Sequence, residues 1–345
     1  MHQKCERDVT HLPIHREQTK GELPLNLSFC FDGELGEHLA RSVMQDMQHS
    51  AFSTPFRLYY QLRGLIPIGF RRGMQGFRNR YLNVANQWYI PSDLEEVLHT
   101  TGLSRNTIWP NASEFALVLT HDVEEQKGFD YILKVADEEE KLGLRSCWNL
   151  VPYKYRIDAG AVQELKDRGH EIAVHGYNHD GRLFLSESMF RSRLTAINEA
   201  IERFGAVGFR AEMVHRNLSW MQSLNIDYDA SCFDVDPFQA MPGGVGCIWP
   251  FQVGRFIELP YTMPQDHTLF LALRETTTRI WQEKFAFLRK HHGMVMMLTH
   301  PDYLSLGNGL KLYQSFLKSV VEEGGAWHAL PREVACWYRT KYVAG

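Results

Sequence analysis

The sequence predicts an α/β chain in which the part after residue 110 forms an incomplete or distorted (β/α) barrel of about seven parallel strands. Three observations lead there. From Phe115 onward, short apolar runs alternate with amphipathic stretches. Glycines stand where those stretches stop, at Gly143, Gly169, Gly205 and Gly293. Chemistry-bearing side chains gather at the C-terminal ends of the apolar runs, where open α/β sheets and barrels place their sites. Alternation alone also permits a doubly wound sheet; the count of runs and the placement of polar groups favour the barrel.

The elements follow in order. Residues 1–110 read as an N-terminal extension packing on the barrel of 111–345, polar over 1–24 and irregular over 25–110. The extension holds a possible strand at 25–31, a helix near 37–48 and an aromatic, basic stretch at 59–72. Strands are expected at 116–120, 145–150, 171–174, 208–210, 228–231, 256–259 and 294–299. Helices are expected at 129–142, 159–168, 188–204, 219–224, 276–292 and 310–323. Glu138-Glu139-Glu140 reads as a solvated helix face.

Composition limits the function classes. Hydrophobic residues make up 44% and charged residues 23% of 345, ordinary for a globular chain. Net charge is -4, so no basic face is implied and nucleic acid is not an expected partner. The six cysteines are scattered with no Cys-x-x-Cys, which points to reduced thiols. The polar start lacks a secretory apolar segment, and no run is long enough to span a bilayer, so a cytoplasmic location is expected. The 59–72 stretch reads as an ordinary packed helix and turn before it reads as a membrane contact.

The chemistry centres on His175-Gly-Tyr-Asn-His179 and on Asp122 and Glu124. Histidines four apart on one helical turn reach a common ion. The acids follow the run Phe115–Thr120, and His175 follows Glu171–Val174. Two imidazoles and a carboxylate make a three-ligand site with a position left for water. Further groups sit at strand ends: Arg210 after Gly208-Phe209, Asp229 and Ser231 in Tyr-Asp-Ala-Ser, and His300 after Leu298-Thr299. His121 is expected to point away from the site, since neighbours alternate along a strand, and His170 reads as a strand-flanking histidine.

These motifs resemble those of the polysaccharide deacetylase (NodB-homology) family over residues 113–304. Thr120-His-Asp122-Val-Glu124 is similar to the acidic motif. Gly169-His-Glu-Ile-Ala-Val-His175 through His179 is similar to the His-x3-His motif. Gly208-Phe-Arg210, Tyr228–Ser231 and Leu298-Thr-His300 match the remaining three in order. Two departures stand out. Val123 occupies the second aspartate position, leaving Glu124 as the next acid, and Ala211-Glu212 replaces the usual proline after the arginine.

The resemblance implies a divalent metal on Glu124, His175 and His179, with Asp122 the alternative carboxylate. Zinc is the first choice; cobalt, nickel and iron suit the same donors. It also implies Asp122 as base, Arg210 holding it ionised, and His300 as acid to the leaving amine. Tyr177, Asp229, Ser231, Trp249 and Leu298 are assigned to substrate, with Tyr261 a further aromatic near a sugar; Glu212 and Met213 fall beside the cleft. The implied activity is metal-dependent removal of an N-acyl group, first of all N-acetyl, from a sugar or polysaccharide precursor. Alternatives are deformylation or hydrolysis of another non-peptide amide, and a carbohydrate-binding protein that has lost turnover.

Overall fold

The computed structural model describes residues 25–49, 52–63, 66, 70, 74, 77–79, 82, 84–101, 108–241 and 243–343. The polar stretch 1–24 and most of the basic segment after Arg63 lie outside them. The strands are β1 (Leu27–Ser28), β2 (Phe115–Val123), β3 (Cys147–Leu150), β4 (Glu171–His175), β5 (Gly208–Arg210), β6 (Tyr228–Asp229), β7 (Phe251–Val253), β8 (Phe256–Glu258), β9 (Met294–Thr299) and β10 (Ala326–His328). Those expected from the sequence, β2, β3, β4, β5, β6, β8 and β9, make a continuous parallel wall in the order β9-β2-β3-β4-β5-β6-β8. No ladder joins β8 to β9. Instead the backbone N–H groups of Thr262 and Met263 both donate to Met296 O, at 3.3 and 3.1 Å. The barrel is therefore distorted and incompletely closed.

β2 explains the architecture. All nine of its residues are buried, as a strand covered on both faces must be. One edge pairs with β9 from Ala116 to His121. The other edge is shared: β10 takes Phe115–Leu117 and β3 takes Thr120–Val123. Two additions escaped the sequence reading: β7 forms a hairpin with β8, and β10 wedges beside β2. β1, inside the strand expected at 25–31, adds antiparallel to β7.

The helices are α1 (Gly33–His49), α2 (Thr54–Leu62), α3 (Ser92–Thr101), α4 (Gln126–Phe129), α5 (Ile132–Glu140), α6 (Ala159–Asp167), α7 (Glu187–Phe204), α8 (Leu218–Met221), α9 (Arg279–Lys290), α10 (Pro301–Leu304), α11 (Gly309–Glu323) and α12 (Pro331–Tyr338). Caps set several ends. Ser186 Oγ accepts Met189 N at 3.2 Å to start α7, and Gly205 closes it at φ +57°. After α9 the left-handed residue is His292 (φ +53°), and not Gly293 as the sequence suggested. The His292 carbonyl is held there by the indole N–H groups of Trp109 and Trp249, both at 2.9 Å.

The helix expected over 129–142 is the shorter α5, and α4 is a separate turn before it. α4 is pinned against α10, where the Asp302 carboxylate accepts Glu124 N at 3.0 Å and lies directly over Gly128. The acidic triplet is also corrected, because Glu139 is fully buried rather than solvated. It accepts from Ser146 Oγ (2.6 Å) and Tyr313 OH (2.5 Å) and pairs with His121 Nε2 (2.8 Å). Its neighbours Glu138 and Glu140 pair outward with lysines and Arg168.

The N-terminal elements share the core of the sheet. Leu35, Leu39 and Val43 of α1 and Leu94 and Leu98 of α3 belong to one apolar cluster with β2 and β9. Polar contacts tie the same segment down. Asp46 pairs with Arg216, Lys284 Nζ donates to Tyr89 O and to Asp234, and Arg182 donates to Tyr60 O and Gln61 O at the end of α2. Among the described residues no helix is long and apolar enough to cross a membrane.

Candidate metal centre

The site lies at the C-terminal ends of β2, β4, β5 and β9. Alternation along β2 puts Thr120 and Asp122 on the inner face and His121 on the outer, against Glu139 and Trp148. His121 is thus turned from the site as its position required. β2 ends at Val123, and Glu124 follows with its backbone N–H on Asp302.

His175 is the last residue of β4, and Gly176–His179 is an irregular loop. The single helical turn expected for the two histidines is not formed. The buried apolar strand runs up to His175, and the chain then turns at Gly176 (φ +60°) and His179 (φ +60°). This tight loop still brings the two rings together, with centroids 5.2 Å apart.

Glu124, His175 and His179 each offer one atom to a group whose members lie within 4.8 Å of one another. His179 Nε2 is 3.0 Å from Glu124 Oε1, yet it is not aligned for a hydrogen bond with it. Among the described residues His175 Nε2, likewise buried, has no hydrogen-bond partner. Donor atoms bound to one ion at about 2.1 Å stand roughly 3–4 Å apart, so two orphaned imidazole nitrogens and a carboxylate at this spacing fit a divalent metal. His175 Nδ1 faces Arg210 O at 3.1 Å, which favours the N–H at Nδ1 and leaves the Nε2 lone pair for the ion.

Asp122 sits beside this group and is held differently. Its Oδ1 accepts Asn149 Nδ2 at 2.8 Å and Arg210 Nη1 at 3.0 Å. Its Oδ2 is 3.6 Å from His175 Nε2. Arg210 is fully buried and also donates to Thr120 Oγ1 (2.8 Å) and Ala230 O (2.7 Å), which fixes the guanidinium. Burial pushes the Asp122 carboxyl up, but attraction from His175, Arg210 and His300 outweighs it and leaves the group below the ordinary carboxylate range. Burial lowers the His175 pKa below the ordinary imidazole value, against the attraction of Asp122.

His300 follows β9 and completes the cluster, with Nε2 3.8 Å from Glu124 Oε1. Asp266 orients it: one carboxylate oxygen meets Nδ1 at 2.7 Å and the other accepts the His300 backbone N–H at 2.8 Å. Burial pulls the His300 pKa down, but Asp266, Glu124 and Asp122 raise it to about 9. Tyr303 OH donates to Glu124 Oε2 at 3.3 Å.

The residues assigned to substrate divide. Tyr177 is half-buried two residues after His175, with its ring against Tyr153 (4.9 Å) and under Arg193 (4.8 Å). Leu298 is buried on the inner side of β9. Asp229 and Ser231 have no open face: Ser231 Oγ donates to Asp229 Oδ1 (2.7 Å) and accepts Ala211 N (2.8 Å), and Asp229 shares a buried carboxyl pair with Glu258. Trp249 is fully buried and bonded to His292 O just before β9, at the end of the barrel opposite His300, so it offers no surface to a sugar. Tyr261 is likewise buried, against Phe233.

The sequence reading missed Asn149, Asp266, Asp302 and Tyr303. Asn149 was accessible in principle, because β3 pairs with β2 in a register that sets it opposite Asp122. Asp266 carried no local signal that separates it from any loop acid.

Solved structures show what the fold is similar to. A chain from Mycobacterium smegmatis assigned as a polysaccharide deacetylase superposes with TM-score 0.56 at 18% identity, covering 69% of this chain and 94% of that one. An allantoinase gives 0.53 at 14%, covering 70% and 95%. A chain from Pseudomonas aeruginosa PAO1, also assigned as a polysaccharide deacetylase, gives 0.50 at 14%, covering 71% and 97%. At these identities the likeness shows the fold alone, a distorted (β/α) barrel. No family model matches the sequence, and no curated protein matches it.

Proposed function

We propose that this chain is a metal-dependent hydrolase that removes an N-acyl group, first of all N-acetyl, from a sugar or polysaccharide precursor. One observation carries the reading: a candidate three-ligand group stands between a carboxylate fixed on arginine and a histidine fixed on aspartate. A binding protein has no use for both a base and an acid. Glu124, His175 and His179 would hold the metal, zinc first, which would supply a lowered pKa to a water and polarisation to an amide carbonyl.

The chain's own groups do the rest. Asp122, ionised and with Oδ2 turned toward the ligand group, takes the proton of the attacking water. Arg210 and Asn149 hold its other oxygen still. His300, protonated at neutral pH, gives its Nε2 proton to the departing amine, which leaves poorly without one. Asp266 keeps Nδ1 protonated and so aims Nε2 at the site. Tyr177 and Tyr153 present aromatic surface at the rim. A cytoplasmic setting fits a lipid-linked or nucleotide-linked sugar destined for surface polysaccharide.

A second reading, deformylation or hydrolysis of a smaller non-sugar amide, draws on the burial of the site. The Glu124 side chain is 19% exposed, and those of Asp122, His175, His179 and His300 are less so. The test is product release from a panel of N-acetyl sugars, N-formyl sugars and allantoin, before and after chelation and zinc return. Acetate release restored by zinc supports the first reading. Turnover of allantoin or formyl substrates alone moves the second ahead. No turnover with any of them contradicts both.

A further inference from the structure

Glu212 stands where the resemblance led to an expected proline, and it is almost completely buried behind the histidine loop. Among the described residues its carboxylate is in no ion pair with a lysine or arginine. Oε1 accepts the backbone N–H groups of Tyr177 (2.8 Å) and Asn178 (3.1 Å), and Oε2 accepts that of Gly181 (2.8 Å). The loop that carries His179 therefore winds around one carboxylate. The fit is close: a Cβ on Gly176 would lie 2.1 Å from Glu212 Cγ. The same short segment fixes His175, since Arg210 O accepts Gly176 N at 2.9 Å and faces His175 Nδ1.

We infer that Glu212 is a positioning residue for the metal centre, holding His179 in its left-handed conformation by gathering three loop N–H groups. The inference rests on the functional reading above only in that His175 and His179 hold a metal. The physical need is clear. His179 at φ +60° is an uncommon backbone state for a non-glycine residue, and it stands in a loop outside the helices and strands. A carboxylate with both oxygens accepting can satisfy all three N–H groups. A carboxamide cannot, because its NH2 would face either Gly181 N–H or the Tyr177 and Asn178 pair. Outer groups of this kind typically change metal affinity about 10- to 100-fold.

The test is titration of metal-free protein with zinc, and with cobalt followed by its visible spectrum, for wild type, Glu212→Gln, Glu212→Asp and Glu212→Ala. Circular dichroism and the Tm of each metal-free form report folding separately. Glu212→Gln is expected to weaken zinc about 10- to 100-fold and to alter the cobalt spectrum while the metal-free fold persists. Glu212→Asp, which keeps the charge, is expected to fall between. Added formate, a carboxylate small enough for the vacated nest, is expected to recover affinity in Glu212→Ala and not to raise it in wild type. Wild-type affinity and spectrum in Glu212→Gln would overturn the inference. So would lowered Tm with unchanged affinity, which leaves Glu212 a stabiliser only. Wild type that takes up no metal would instead sink the functional reading, and the inference with it.

Discussion

Replacing Asp122 by asparagine separates chemistry from architecture. Both inward bonds to Asp122, from Asn149 Nδ2 and Arg210 Nη1, end on Oδ1. An asparagine carbonyl at Oδ1 keeps both, and its NH2 then occupies the place of Oδ2, the oxygen on the His175 side. The variant therefore retains shape and loses the base. General-base catalysis contributes about 10²- to 10⁴-fold, or roughly 3–5 kcal/mol of barrier. Stability should move less. Breaking a buried ion pair outright costs about 3–5 kcal/mol, but here both hydrogen bonds persist and only their charge-assisted excess is lost, about 1–2 kcal/mol.

The assay is acetate release under saturating zinc, with zinc affinity by calorimetry and Tm measured on the same preparations. The expected result is at least a hundredfold loss of turnover, zinc affinity near wild type, and Tm lower by a few degrees. Turnover within tenfold of wild type would refute Asp122 as base. Loss of zinc would instead place Asp122 among the ligands.

Other outcomes follow from the same geometry. Activity should fall as pH rises through the His300 pKa, at or below about 9 because an ion on Glu124 cancels part of the attraction that raises it; His300→Asn should abolish that alkaline limb in a pH–rate profile. Glu171 is fully buried and burial raises its carboxyl to about 7, so the folded state binds the extra proton between about 4.5 and 7 and stability falls as pH rises through that window. Glu171→Gln should remove a slope worth up to about 3 kcal/mol across that range, read by urea denaturation at each pH. Gly176→Ala should weaken zinc and lower Tm together, because its Cβ meets Glu212 Cγ and its φ is +60°; a variant with unchanged zinc affinity and Tm would show that the loop is looser than described.

The parallel wall was legible in the sequence because its strands are buried throughout and its longest members, β2 and β9, carry long apolar runs. Gly208–Arg210 and Met294–Thr299 coincide with β5 and β9 to the residue. β7 and β10 were not legible: each has three residues and is partly exposed, too short to show a period. The site was legible where residues sit on strand ends in fixed register, as Asp122, His175, Arg210 and His300 do. It was illegible where long-range packing brings a loop residue in, as with Asp266 on His300 and Glu212 on the His179 loop. Trp249 misled because its residue type suggested a sugar platform while its indole serves a buried carbonyl. The helical reading of His175–His179 misled for a related reason, since spacing alone does not distinguish a helical turn from a tight loop.

The central claim is that Glu124, His175 and His179 hold a divalent metal. Elemental analysis of purified protein tests it most directly, with wild type beside His175→Ala and His179→Ala and the fold of each checked by circular dichroism. About one transition metal per chain is expected in wild type, lost in both variants while they stay folded. A wild type that contains none, and takes up none when zinc or cobalt is added, would contradict it.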